Sequence, residues 1–322
     1  MPVFDICPNM SKIWLRVEYV VSSMFYRRMI TMKRSKIVLS LFAVLVCTVS
    51  AVQAIDVKEG LENLWQYIVS DELDLVMPST VISKLKALAK DAKVDSVVVL
   101  NTPWGPDNTT FVYRVALMRP SLRGPLLDYF AKEGGNLNWL DKDGKGVLVR
   151  MMERATDSDR NEDWYYINDL IERGAGVKGT ATSSPLFAAI DIKWKESGLK
   201  DWQCELIKLL VRKGADINEV FKGETLLIKA IESGKDQLAL CLLLNIKDID
   251  LNRQDESSSK STALHHAVRN PNMIRVVEHL FLYGADPDKQ DALGKTADSY
   301  TKDKDVLRLF ERARMKKAPT KK

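Results

Sequence analysis

At 322 residues, with 46% hydrophobic and 28% charged side chains, the chain has enough apolar content for a sizeable core and lies outside the composition of disordered proteins. Its net charge of +5 comes from one end: of 48 Lys/Arg and 43 Asp/Glu, seven and two fall in residues 1–54, leaving 41 of each beyond Ala54. A body balanced in charge argues against an electrostatic grip on nucleic acid.

The first legible element is 33–54, KRSKIVLSLFAVLVCTVSAVQA. Lys33, Arg34 and Lys36 make a positive start and Ile37 to Val49 an apolar run. Val52-Gln53-Ala54 puts small residues at the −3 and −1 positions of a cut after Ala54. That is the layout of a secretory signal peptide, here 32–54, with Met32 read as the start and 1–31 as an upstream over-extension. The alternative is a membrane anchor through 37–54, for which the run is short. The expectation is an exported chain, periplasmic or secreted, with no stable membrane span once the leader is removed.

Residues 55–100 read as a helical N-terminal cap or subdomain. Leu61, Leu64, Trp65 and Ile68 have helical spacing, and Pro78-Ser79-Thr80 opens a second helix with Ile82, Leu85, Leu88 and Ala89 as its stripe. Val97-Val98-Val99-Leu100 reads as a short buried strand or an extended packing segment, and the Pro-, Gly- and Asn-rich 101–108 as a linker.

From there one phrase recurs, most clearly as CELIKLLVRKGADIN at Cys204 to Asn218. Leu206, Ile207, Leu209, Leu210 and Val211 form an apolar stripe, and Gly214 stands where a helix ends in a left-handed cap. The phrase returns at Val276–Asp288 and more loosely at Ile167–Val177. With Asn245 taken as a fourth occupant of the glycine slot, the caps at Gly174, Gly214, Asn245 and Gly284 are 40, 31 and 39 residues apart. The long intervals are read as carrying insertions at Asp157–Asp163, Asp191–Leu199 and the serine-rich Asp255–Ser261.

Each unit also opens alike: Ser184-Pro185-Leu186-Phe187-Ala188-Ala189, Glu224-Thr225-Leu226-Leu227-Ile228-Lys229-Ala230 and Ser261-Thr262-Ala263-Leu264-His265-His266-Ala267. These openings and closings resemble the ankyrin repeat over roughly residues 105–312. The residues make physical sense beside the resemblance. Ser or Thr caps a helix start, and Pro185 suits the first turn. Leu186, Leu226 and Leu264 point inward, and Ala189, Ala230 and Ala267 let helices approach. A unit that cannot bury its apolar face alone must stack. The fold class expected is therefore all-α, an ankyrin-repeat solenoid of about five units plus a partial one over 101–312. β-turn fingers join the units, helical caps close the stack, and 313–322 forms a basic flexible tail.

No nucleophile elbow, phosphate loop or metal-ligand spacing appears, so the chain reads as a non-enzyme with no cofactor and no metal. The resemblance makes His265 a structural hydrogen-bonding residue. Asp141-Lys142-Asp143-Gly144 lacks the closing Glu of a calcium loop and reads as a finger turn. Cys204 lies ten residues before Gly214 and Cys241 four before Asn245, so they are expected at different heights as free buried thiols. Trp194 and Trp202 are expected in the core.

The resemblance places recognition in the fingers and the starts of the first helices. Carried over by position, it implicates Trp139, Lys142, Lys178, Glu219, Phe221, Arg253 and Lys289, with Trp139 and Phe221 as aromatic anchors. The expected function is a monomeric protein–protein interaction scaffold whose partner is another protein and not nucleic acid. The alternative is an inhibitor or immunity-type protein that occludes a partner enzyme.

Overall fold

The computed structural model describes residues 56–70, 76–118, 120–156, 162–192 and 202–317. The leader and start at 1–54, Trp194, the insertion residues 157–161 and 193–199, and the final residues 318–322 lie outside the described residues. The chain divides into two compact parts, Met1–Asp56 and Val57–Lys322. The architecture below is that of the second.

Helices α1 (56–69), α2 (Pro78–Asp91) and α3 (Ser96–Asn101) come first. Five helix pairs follow: α4 (Phe111–Ala116) with α5 (Pro120–Lys132), α6 (Val147–Thr156) with α7 (Glu162–Glu172), α8 (Pro185–Asp191) with α9 (Trp202–Arg212), α10 (Leu226–Glu232) with α11 (Asp236–Asn245), and α12 (Ala263–Ala267) with α13 (Ile274–Leu282). A sixth pair combines a 3₁₀ turn, Ala297–Tyr300, with α14 (Lys304–Lys317). First helices pack on first helices (α6–α8–α10–α12) and second on second (α9–α11–α13–α14), so each repeat covers its neighbour's apolar face.

Local chemistry starts the first helices. Thr110, Ser184 and Thr225 side chains accept from the amides of Tyr113, Phe187 and Ile228 at 3.2, 3.2 and 3.3 Å. Each cap stabilises its helix by about 1 kcal/mol. Thr262 and His265 form a reciprocal box, and Nε2 of His265 lies 3.1 Å from the Lys295 carbonyl. Leu186, Leu226, Leu264 and the paired Ala189, Ala230 and Ala267 are buried between the layers.

A short finger precedes each first helix. β1 (Val220–Phe221) and β2 (Glu224–Thr225) pair antiparallel, Val220 opposite Thr225. Single bridges Trp104–Thr109, Leu140–Gly146, Gln254–Thr262 and Gln290–Thr296 serve the other fingers. In the third repeat the Thr180 amide donates to the Ser183 carbonyl.

Several expectations are corrected. Val97–Leu100 is no strand: it lies in α3, where Val99 and Leu100 are buried, so packing overrides the β preference of the valine run. Asn101 then donates to the Gly134 carbonyl at 3.0 Å and accepts from the Asn136 amide at 2.7 Å, tying the cap to the first repeat. The stretch 101–108 is no linker but a packed finger. Trp104 is 4% exposed, stacks on Phe111 at 5.9 Å, and donates from Nε1 to Glu62 at 2.8 Å. Burying an indole outweighs the turn-rich composition around it.

The left-handed residue that closes the fourth repeat is Asp248, not Asn245; the helix itself has its C-cap at Ile246, which is extended. Asp248 has φ +65°, matching +103° at Gly214 and +98° at Gly284. The true spacings are then 40, 34 and 36 residues. Asn245 is instead the last residue of α11, its side chain turned back onto the Cys241 carbonyl.

That shift overturns the reading of the cysteines. Cys241 lies seven residues before its left-handed residue against ten for Cys204, a smaller offset in register than ten against four. Their α-carbons are 6.2 Å apart and the sulfurs are joined in a disulfide between α9 and α11.

The flexible tail expected from 313 is helical to Lys317, because Arg314 donates to Asp288 and Asp298 at 2.9 and 2.8 Å.

Candidate partner-binding face

The turns between repeats are tied by an asparagine ladder. Asn218 donates from Nδ2 to the Asp248 carbonyl at 2.7 Å and accepts from the Asp250 amide at 2.8 Å. Asn252 accepts likewise from Asp286 at 2.7 Å. Each ladder residue is followed at once by a finger, so the ladder sets the spacing of the fingers.

Five residues past each left-handed cap lies one position per finger: Trp139, Gly179, Glu219, Arg253 and Lys289. The structure thus brings four of the seven residues expected from sequence into one column, with Lys178 beside it. Their roles differ. Trp139 is half-buried and donates from Nε1 to the Asn108 carbonyl at 2.8 Å, bracing the preceding finger. Glu219 is half-buried, accepts from the Ser184 hydroxyl and lies so close to Gly179 that any side chain there would meet its carboxylate. Burial pushes the Glu219 carboxyl above the usual range, against the pull of Ser184 and the Gly179 amide. Phe221 is half-buried, its ring 5.2 Å from that of Phe187. Lys289 is half-buried too. The side chains turned to solvent are Lys142, Lys178 and Arg253. Of these Lys142 pairs with Asp107 of the preceding finger at 2.7 Å.

A second set of residues went unread in the sequence. Seven residues past the caps stand Asp141, Asp255 and Asp291, each folding its finger and then reaching a side chain on the following first helix or 3₁₀ turn. Asp141 accepts from the amides of Asp143 and Lys145, from the Tyr113 hydroxyl at 3.0 Å and from Arg150 at 2.7 Å. Burial works against its charge, yet those donors hold its carboxyl below the usual range, and the adjacent acids raise Arg150 in turn. Asp291 accepts from Leu293 and Lys295 amides and from Tyr300. The signal was available: Asp141-Lys142-Asp143-Gly144 and Asp291-Ala292-Leu293-Gly294 share Asp-x-x-Gly, with both glycines at φ +71°.

In the fifth finger, Asp255 accepts from Ser257 and from the Ser261 amide. Its Oδ2 lies 2.9 Å from Nε2 of His266, whose Nδ1 is 2.8 Å from Glu232 of the fourth repeat. His266 therefore bridges two repeats. Around it lies a cleft of about 760 Å³ between the fourth and fifth fingers, walled by Glu224, Glu232, Asp255, Glu256 and Arg269 among others. Among the described residues no group of His, Cys, Asp and Glu is arranged to hold a metal ion. None of their helices is long and apolar enough to cross a membrane.

Comparison with known families matches three copies of ankyrin repeats over residues 199–291. The chain carries an ankyrin-repeat domain. Among solved structures, it is similar to the ankyrin repeat domain of Bcl-3, a member of the IkappaB protein family. The TM-score is 0.53 at 18% identity, over 80% of this chain and 97% of that one. EF0377, an ankyrin repeat protein, aligns at 22% identity over 62% of this chain and 94% of that one, with a TM-score of 0.46. No curated protein matches. The stack of helix pairs is thus an ankyrin solenoid, and ankyrin repeats are as a family protein-interaction modules.

Proposed function

We propose that the chain is a non-enzymatic scaffold that binds a protein partner through its fingers and first helices, in an exported compartment. The observation that carries the reading is the face itself: fingers set by the asparagine ladder, presenting exposed Lys142, Lys178 and Arg253 beside the cleft between the fourth and fifth fingers. Export is supported by the leader-like 32–54 and by a disulfide, which persists in oxidising compartments and is rare in reducing ones.

The test is affinity capture from the exported fraction with wild type and with a K142E/K178E/R253E variant. The expected result is a partner held by wild type at least tenfold more strongly. Equal capture by both, or none by wild type, sinks the reading of this face. N-terminal sequencing of the native protein should begin at Ile55.

A further inference from the structure

The fingers of the described stack are not all tied alike. The first, second, fourth, fifth and sixth are closed by paired bridges, Trp104–Thr109, Leu140–Gly146, Val220–Thr225, Gln254–Thr262 and Gln290–Thr296. The third, 178–184, has no such bridge among the described residues; one tight turn closes it, the Thr180 amide on the Ser183 carbonyl at 2.6 Å. Elsewhere backbone bonds join neighbouring fingers. The Lys142 amide donates to the Asp107 carbonyl at 3.0 Å, Glu256 to Gly223 at 2.7 Å and Ala292 to Ser259 at 2.8 Å. Among the described residues no backbone bond links the third finger to either neighbour, and side chains take their place. The Thr182 hydroxyl donates to the Gly144 carbonyl at 3.1 Å on one side. On the other, the Glu219 carboxylate accepts from the Ser184 hydroxyl and the Gly179 amide.

The ladder also changes here. Four residues past the left-handed caps stand Asn138, Lys178, Asn218 and Asn252. Asn138 sets its Oδ1 against Gly176, and Asn218 and Asn252 accept from the amides of Asp250 and Asp286. The matching amide for Lys178 is that of Asp216, and an ammonium has no lone pair with which to accept it. Among the described residues the Lys178 side chain and the Asp216 amide have no hydrogen-bond partner.

We propose that 178–182 is a movable strap in an otherwise fixed row of fingers, opening locally from both neighbours while the helices behind it stay stacked. The device stands on the bonding of the finger itself and is independent of the partner reading. Local opening is easiest where backbone hydrogen bonds are few and exposed and little apolar area is lost. Lys178, Thr180, Ala181 and Thr182 are exposed, and from Gly179 to Thr182 the side chains are small. Both ends of the strap are anchored. Ala175 and Val177 are buried before it, and Ser183 and Ser184 after it, with Ser184 capping α8 through the Phe187 amide at 3.2 Å. Behind it Phe187 lies against Phe221, and the disulfide joins α9 to α11. Of the three exposed cations on the face, Lys142 and Arg253 therefore keep their places, while Lys178 travels with the strap.

The experiment is native-state hydrogen exchange of the full chain, read residue by residue by NMR over a series of low urea concentrations. Corrected for intrinsic rates, the Gly179 and Thr180 amides should exchange at least tenfold faster than those of Lys142, Glu256 and Ala292. Their rates should not change with urea, the mark of an opening that exposes little surface. T182A removes the bond to Gly144 and should speed Thr180 at least threefold. K178N supplies the missing acceptor and should slow Asp216 at least fivefold and Thr180 at least threefold. Protection of Thr180 equal to that of Lys142, Glu256 and Ala292 would overturn the proposal. So would a Thr180 rate that climbs with urea in step with the amides of α8, or a K178N variant in which neither Asp216 nor Thr180 slows. The wild-type comparison decides the matter even where a variant alters global stability.

Discussion

Asp255 reaches across eleven residues to place its carboxylate 2.9 Å from Nε2 of His266, joining a finger to the helix it introduces. The same carboxylate accepts from the Ser257 and Ser261 amides. Burial opposes its charge, but the donors win and keep its carboxyl below the usual range. Asp255→Ala should therefore cost about 1–3 kcal/mol, the toll of leaving buried donors unsatisfied. Urea denaturation measures it; a loss under 0.5 kcal/mol (roughly the level of an ordinary surface change) would mean that the finger folds without its aspartate.

Asn218→Ala removes both ladder bonds between the third and fourth repeats. We expect a loss of about 1–3 kcal/mol and faster amide exchange at Asp250, with little change at the distant Asn136. Repeats touch only their neighbours, so the damage should stay local. Uniform acceleration along the chain would contradict that.

Replacing Cys204 and Cys241 together by serine opens a loop spanning a sequence separation of 37. Loop-closure entropy puts the expected cost at about 3–4 kcal/mol. Reductant should lower the wild-type midpoint toward that of the variant and leave the variant alone. Insensitivity of wild type to reductant would show that the thiols are not joined in solution.

The acids pull stability in opposite directions with pH. Asp141, Asp255 and Asp298 have carboxyls held below their ordinary 3.8, so the stability they contribute is present above that pH and lost as pH falls through their folded values. Glu219 has a carboxyl raised above its ordinary 4.5, so its ionisation costs stability as pH rises from 4.5 through the folded value. Glu219→Gln should accordingly gain on wild type between pH 4.5 and neutrality, then level off. Urea midpoints taken at half-unit steps test this, and a constant difference across that range would refute it.

The repeats were legible because their signals are local: a capping Ser or Thr, an inward Leu, a small Ala and a left-handed Gly recur in register. Asp248 was missed because its left-handed backbone is stabilised by context, the ladder bond from Asn218 to its carbonyl, and not by lacking a Cβ. Everything measured from that cap then slipped, which is why Cys204 and Cys241 were placed apart. The column of Trp139, Glu219, Arg253 and Lys289 could be found by counting, but counting does not say which side chains are engaged. Trp139 and Phe221, expected as free anchors, spend part of their surface on Asn108 and Phe187. The cluster of Glu224, Glu232 and His266 stayed hidden because it is assembled from two repeats, across a distance in sequence that no motif spans.

The bond between Cys204 and Cys241 also alters how the molecule would answer a pull on its two ends. Stacked repeats release their chain one after another under tension, each lengthening the tether by its own share. Here the residues from Cys204 to Cys241 are bypassed, since force runs through the sulfurs instead. Roughly 12–13 nm of extended chain would stay hidden at a reach of about 3.3–3.6 Å per residue. A reducing agent would give that length back, so the contour length of a single stretched molecule records the redox state of its surroundings.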